Sequence, residues 1–353
     1  MRGPLWEMPM IAMPEAPSVP EPPPGTASVL AARLRPLLPW ISLAVGVAGA
    51  IVMDRGPRRA AVVAASAVAL WLTLLALHWV ARVDGDSQGR VRRWWLRAVR
   101  HSSLLATQSL VQLALFFALP FYYRAASFQV GHVAFMLTLA AVCAGSLWDP
   151  LTEWLFLRPL LAPLLPAIGS FVALDAVLPG LGLSTQVSLW VAAFTAAAGV
   201  VLLAAFNAPK ERRARFMGLA VCGALALPLA LALGLARIVP AAPLRLVEIE
   251  LGTHIADHWV EDPSERFERA PARLFCATAI WSPIGVKDRL FHVWRYDGAV
   301  RARVELDIRG GRGGGYRTYS RVGLGAHASG TYRCSVETQS GQVLGGKSVR
   351  VGP

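Results

Sequence analysis

His292, Trp294, Arg317, Tyr319 and Ser320 are the residues of this chain best equipped to hold a ligand. Trp and Tyr offer a stacking face, and Arg offers a forked donor for a carboxylate or phosphate. Brought together on adjacent strands, they would suit a glycan, a lipid headgroup or a peptide. The competing reading is structural: His292 and Trp294 share one buried face, and Arg317 satisfies carbonyls at a strand end.

No catalytic signature accompanies them. The chain contains no GxSxG, no Walker A loop, no HExxH and no CxxC pair, so neither an enzyme activity nor a cofactor is expected. His254 and His258, with Asp257 beside them, would share a helix face and could hold a metal there. The preceding VEIELGT reads as a strand, so no metal site is expected. Asp175 stands within an apolar stretch, where an acid is costly and is a functional candidate. No basic partner is evident in the neighbouring segments, and Pro179 marks the helix end. Asp175 therefore reads either as a residue near the interface or as a proton or ion site. Gln108, Gln112 and His132 read as interhelical hydrogen-bonding residues.

Of the four cysteines, Cys143 and Cys222 lie in apolar stretches and read as inert. Cys276 and Cys334 fall in predicted strands, with Trp294 between them and Tyr332 two residues before Cys334. That arrangement resembles the tyrosine corner of immunoglobulin-type sandwiches. In an oxidising compartment Cys276 and Cys334 would form a disulfide; otherwise they are two buried thiols.

The elements that must position these residues fall into two classes. The chain is 55% hydrophobic and only 16% charged, whereas soluble domains carry about 25% charged residues. Seven apolar stretches follow one another: 37–53, 60–80, 102–123, 128–147, 160–178, 187–206 and 216–236. A span needs about 20 apolar residues, and lipid leaves the helix as the open form. The expected fold is thus a multi-pass α-helical membrane bundle of about seven spans over 31–240, followed by a small all-β, sandwich-like domain over 244–353. Pro163, Pro166 and Asp175 weaken the fifth stretch, so six spans is the alternative. The Pro-rich residues 1–30 are expected to be disordered and not a signal peptide.

Arg and Lys set the expected orientation. With seven spans, one side collects 13 basic residues, mainly from 82–100 and 210–215, and the other collects four. The N-terminus is then cytoplasmic and the β domain extracytoplasmic, in a cell (inner) membrane. The stretch VRRWWLR, 91–97, reads as an interfacial anchor. A formal charge of +13 could suggest nucleic acid, but the cations sit between apolar segments and no nucleic-acid partner is expected.

Beyond residue 243 a period of two takes over. Ala302, Val304, Leu306 and Ile308 alternate with charged residues, joined to 290–296 through Asp297-Gly298, a hairpin signal. Further strands are expected at 245–251, 273–281, 316–323, 331–337 and 344–351.

Residues 273–351 resemble a bacterial C-terminal domain of unknown function that often follows a multi-pass membrane region. The resemblance rests on Phe275-Cys-Ala-Thr, His292-Val-Trp294, Arg317-Thr-Tyr-Ser320, Gly330-Thr-Tyr332 and Gly341-Gln-Val-Leu344. Tyr332, where Trp would be expected, and the Gly-rich run before Tyr316 depart from the pattern. The resemblance implies a β domain on a membrane anchor and no known activity. The expected function is a non-enzymatic membrane protein that presents its β domain to a cell-envelope component or protein partner. The alternative is a transporter or lipid-handling bundle capped by that domain. Expected partners are the bilayer and an envelope glycan, lipid headgroup or protein.

Overall fold

A computed structural model describes residues 37–52, 57–84, 90–158, 161–207, 213–232, 235–242, 244–282, 288–308, 314–325 and 329–352. The readings of residues 1–30 and of the Gly-rich run at 309–313 lie outside the described residues.

The first part is helical: α1 Leu38–Val52, α2 Pro57–Asp84, α3 Arg90–Ala125, α4 Val130–Ser146, α5 Asp149–Phe156, α6 Leu164–Val177, α7 Thr185–Asn207 and α8 Arg213–Ala232. VRRWWLR forms part of the amino-terminal extension of α3. The bundle core is apolar, with Leu70, Leu74, Leu115, Tyr122, Leu189 and Leu203 fully buried. Helix α3 is central, packing against α2, α4 and α6. Helices α2 and α7 approach closely because Gly199 leaves room for the Trp71 indole, which a Cβ there would strike.

Seven spans are not supported. Among the described residues, 61–80, 102–125, 164–181 and 185–205 are long and apolar enough to cross a membrane. A fifth counts if α4 and α5, bent by 92°, form one span. Helix α1 has 15 residues, about 22 Å of helix against a roughly 30 Å hydrocarbon core. In α8 the apolar stretch is only Met217–Ala230. The Pro-containing fifth stretch does form a candidate span, because Pro166 occupies the first turn of α6, where its missing N–H costs little.

The bend between α4 and α5 leaves helix-end groups without helical partners. Gln112 of α3 supplies one such partner, and Gln108 of the same helix holds the first side chain of α5. Gln112 Nε2 donates to the Ser146 carbonyl at 2.7 Å, and Gln108 Nε2 donates to Asp149 Oδ1 at 2.6 Å. Their expected interhelical role thus has a specific purpose. His132 instead acts locally, its Nδ1 accepting from the Ser127 N–H at 3.0 Å.

The second part is all-β: β1 Arg245–Gly252, β2 Ile255–Ala256, β3 Trp259–Val260, β4 Arg266–Phe267, β5 Arg273–Trp281, β6 Leu290–Tyr296, β7 Ala299–Leu306, β8 Tyr316–Gly323, β9 Gly330–Thr338 and β10 Val343–Val351. They form a three-stranded sheet, β1-β5-β8, a five-stranded sheet, β4-β10-β9-β6-β7, and the hairpin β2-β3. Asp297 and Gly298 both have positive φ, as a two-residue hairpin turn requires. The two sheets enclose a core containing Leu251, Leu274, Trp294, Tyr332, Val349 and Val351. A second apolar cluster, with Leu244, Ile280, Leu290, Val336 and Leu344, fills the end near the helices.

Hydrogen bonds among the described residues join the halves. Asp288 accepts from the Thr185 N–H at 2.9 Å and from Thr185 Oγ1 at 3.0 Å, at the amino end of α7. Gln342 Nε2 donates to the Val239 carbonyl at 3.2 Å.

Candidate functional site

Strand alternation divides the five sequence-selected residues between two faces. His292, Trp294 and Ser320 point into the sandwich and are buried. His292 Nε2 is 2.9 Å from Thr278 Oγ1, and its Nδ1 is 2.8 Å from Ser320 Oγ. Trp294 Nε1 donates to the same Ser320 oxygen at 2.9 Å. Ser320 can therefore donate to Nδ1, leaving Nε2–H to donate to Thr278. This polar layer lies between the two apolar clusters of the core. Burial without a compensating charge pushes the His292 pKa down to about 3, so the ring is neutral.

Cys276 of β5 and Cys334 of β9 form a disulfide across the two sheets, with Cα atoms 6.5 Å apart. Trp294 is the cross-strand neighbour of Cys334. Tyr332, on the same face of β9, receives a long hydrogen bond from Arg301 Nη1 at 3.4 Å. Cys276, His292 and Cys334 bring their ligand atoms within 4.8 Å of one another. Their donor atoms are already engaged: the sulfurs bond each other, and both imidazole nitrogens meet hydroxyls.

Arg317 and Tyr319 stand on the opposite, outward face of β8. Arg321 follows them at the same period, and all three are exposed. On β5 their register partners are Ala279, Ala277 and Phe275. The β2-β3 hairpin folds over this face. The Arg317 guanidinium lies 5.1 Å from the Trp259 ring centroid, and His258 meets Tyr319 edge-on at 5.8 Å. Asp257 and His258 hold positive φ values of 46° and 62°, as the two-residue turn of the β2-β3 hairpin requires. His254 is engaged elsewhere, its backbone N–H donating to Asp262 Oδ1 at 2.8 Å. Asp262 also accepts a very short bond from Thr253 Oγ1. Partial burial works to raise the Asp262 pKa, but these hydrogen bonds outweigh it and hold it below the usual carboxylate range.

Trp259 and Arg321 were not expected at this face, and His258 was considered only as a metal ligand beside His254. The signal for Arg321 was the odd-numbered run 317, 319, 321. For the hairpin it was Asp257-His258 between two short β-prone pairs.

Within the bundle, Asp175 is 1% exposed. Tyr122 OH donates to its Oδ2 at 2.7 Å. A cavity of about 210 Å³ lies between α4, α6 and α7, lined by Phe135, Leu139, Val142, Ile168, Phe171 and Ala196 among others. Its chemistry suits an acyl chain. Near the domain junction, burial raises the Asp288 pKa despite the hydrogen bonds from Thr185.

A family model described as "Family of unknown function (DUF5924)" matches residues 25–276. A second, "Protein of unknown function (DUF2914)", matches residues 287–351. The first match ends within β5 and the second begins just before β6, so the junction falls inside the sandwich. No curated protein and no solved structure matches the chain.

Proposed function

We propose, from the premise that this chain belongs to the family of unknown function matched over residues 25–276, that it is a non-enzymatic, multi-pass membrane protein. Its helices hold an extracytoplasmic β-sandwich that binds a cell-envelope component or protein partner.

The carrying observation is where the sandwich meets the bundle. Asp288 grips Thr185, at the amino end of α7. Ile238, just before β1, lies against Gly131 at the amino end of α4. The Arg-rich stretches 82–100 and 210–215 adjoin the opposite ends, the amino end of α3 and the carboxyl end of α7. Helix α8 has an apolar stretch of only Met217–Ala230, but its 20 residues, about 30 Å, are long enough to return the chain from the Arg-rich side to the sandwich. Arg-rich loops favour the cytoplasm, which leaves the sandwich outside. The Cys276–Cys334 bridge agrees, since disulfides persist in oxidising compartments.

Reporter fusions after Pro353 in intact cells test this. A fusion active only outside the membrane is expected. A fusion active only in the cytoplasm overturns the reading.

A second reading, transport or lipid handling by the bundle, is favoured by the broken α4–α5 pair with its glutamine braces. Interrupted helices near buried polar groups are a recurring construction of transporter sites.

A further inference from the structure

The outward face of β8 and the hairpin above it assemble a surface with unused binding capacity. Among the described residues, neither Arg317 nor Arg321 has a carboxylate or hydrogen-bonding partner. The Trp259 ring holds the Arg317 guanidinium by a cation–π contact at 5.1 Å, which uses none of its N–H groups. Tyr319 is 44% exposed beside His258. Ala277 and Ala279, cross-strand from Tyr319 and Arg317, keep the floor between these side chains low. The acids in the neighbourhood do not cancel the arginines. Glu250 is bonded to Lys347 at 2.6 Å. Glu248 lies on β1, separated from β8 by β5 and so about 10 Å away. Asp257 occupies the exposed hairpin turn.

We infer that this face, centred on Trp259, Arg317, Tyr319 and Arg321, binds an acidic polysaccharide: sugar rings bearing carboxylate or phosphate groups. The inference deepens the envelope-binding reading and rests on it for access to such a glycan. Aromatic rings stack on the apolar faces of sugars, while the two guanidinium groups meet the anions. A peptide adding itself as a strand would need an open sheet edge. Here β1 and β8 are the edge strands of the three-stranded sheet, so such a peptide would engage their backbones rather than the outward side chains of β8. A bilayer headgroup is disfavoured by position. The sheet rises from the helices at Arg245 and Trp281; Arg317 pairs with Ala279, about 7 Å from that end, and Arg321 with Phe275, about 20 Å from it, so one headgroup would not meet both arginines.

The test uses the full chain purified in a neutral detergent, titrated with oligogalacturonate, with neutral dextran and with micelles containing phosphatidylglycerol. Oligogalacturonate should bind, weakening with added salt, and dextran should not. Arg317→Gln and Arg321→Gln should each reduce affinity roughly tenfold, and Trp259→Ala should do the same. Both arginines are exposed, so their variants should retain the parent's thermal unfolding even if Trp259→Ala does not fold. No binding, equal binding to dextran, binding indifferent to both arginines, or a preference for phosphatidylglycerol overturns the inference. These outcomes leave the fusion result untouched, and a cytoplasmic fusion result leaves the binding measurement untouched, so the two failures are distinguishable.

Discussion

His292 shows how one side chain can look functional and be structural. Its two nitrogens are held by Thr278 and Ser320 in the middle of the sandwich. Since burial depresses its pKa to about 3, the unfolded chain binds the extra proton first. Stability from the neutral ring is fully present above the ordinary histidine value near 6.5 and is lost as pH falls toward 3. The expected slope is about 1.4 kcal/mol per pH unit from this group. Thermal unfolding of the purified protein between pH 7 and pH 4 should show it, and a His292→Gln variant should lose that component. An unchanged slope in the variant would remove this account. By contrast Arg317 and Tyr319, neighbours of Ser320 in sequence, face away from it. A period of two suffices to separate them, so this division is written in the chain itself. Which face is buried is not, because that depends on the opposite sheet.

Strands were more legible than helix counts. The expected strands at 245–251, 273–281, 290–296, 316–323, 331–337 and 344–351 all form, because each carries alternation bounded by turn residues. The two-residue strands β2 and β3 were not expected. Their pairing depends on a turn at Asp257-His258 and on Trp259 packing over β5 and β8. Among the helices, hydropathy located the apolar stretches but not the 92° bend between α4 and α5. That bend depends on α3, whose Gln112 satisfies the Ser146 carbonyl from another helix. If the bundle itself carries ions, purified protein in sealed vesicles should pass them, and Asp175→Asn should abolish the flux. Flux that is absent, or unchanged in the variant, removes the transport reading.

The bridge between Cys276 and Cys334 ties the two sheets together across a sequence separation of 58 residues. Closing a loop of that length in the unfolded chain corresponds to about 4 kcal/mol in the chain-entropy account. Replacing both cysteines by serine should therefore lower the unfolding free energy of the full chain by about that amount. Chemical denaturation monitored through the buried Trp294 would measure it. A loss below about 1 kcal/mol would mean that the packing of the two sheets, not the bridge, holds the sandwich. The bridge also joins strands assigned to different family matches, since Cys276 ends the first and Cys334 lies within the second. The sandwich is thus one folding unit built from both matched segments.

Composition and periodicity determined the division into an apolar helical part and an alternating β part, because both signals are local and repeat within a few residues. They also named the two cysteines that pair and the arginine-rich loops that bear on orientation. Three things depended on contacts between residues far apart in the chain. These are the glutamine-braced break in the bundle, the burial of His292 between two sheets, and the grip of Asp288 on Thr185, 103 residues away. The outward arginine–aromatic face belongs with them. Its period is written in β8, but the ring that pins Arg317 comes from a hairpin nearly sixty residues earlier, and local pattern carries no record of such a meeting.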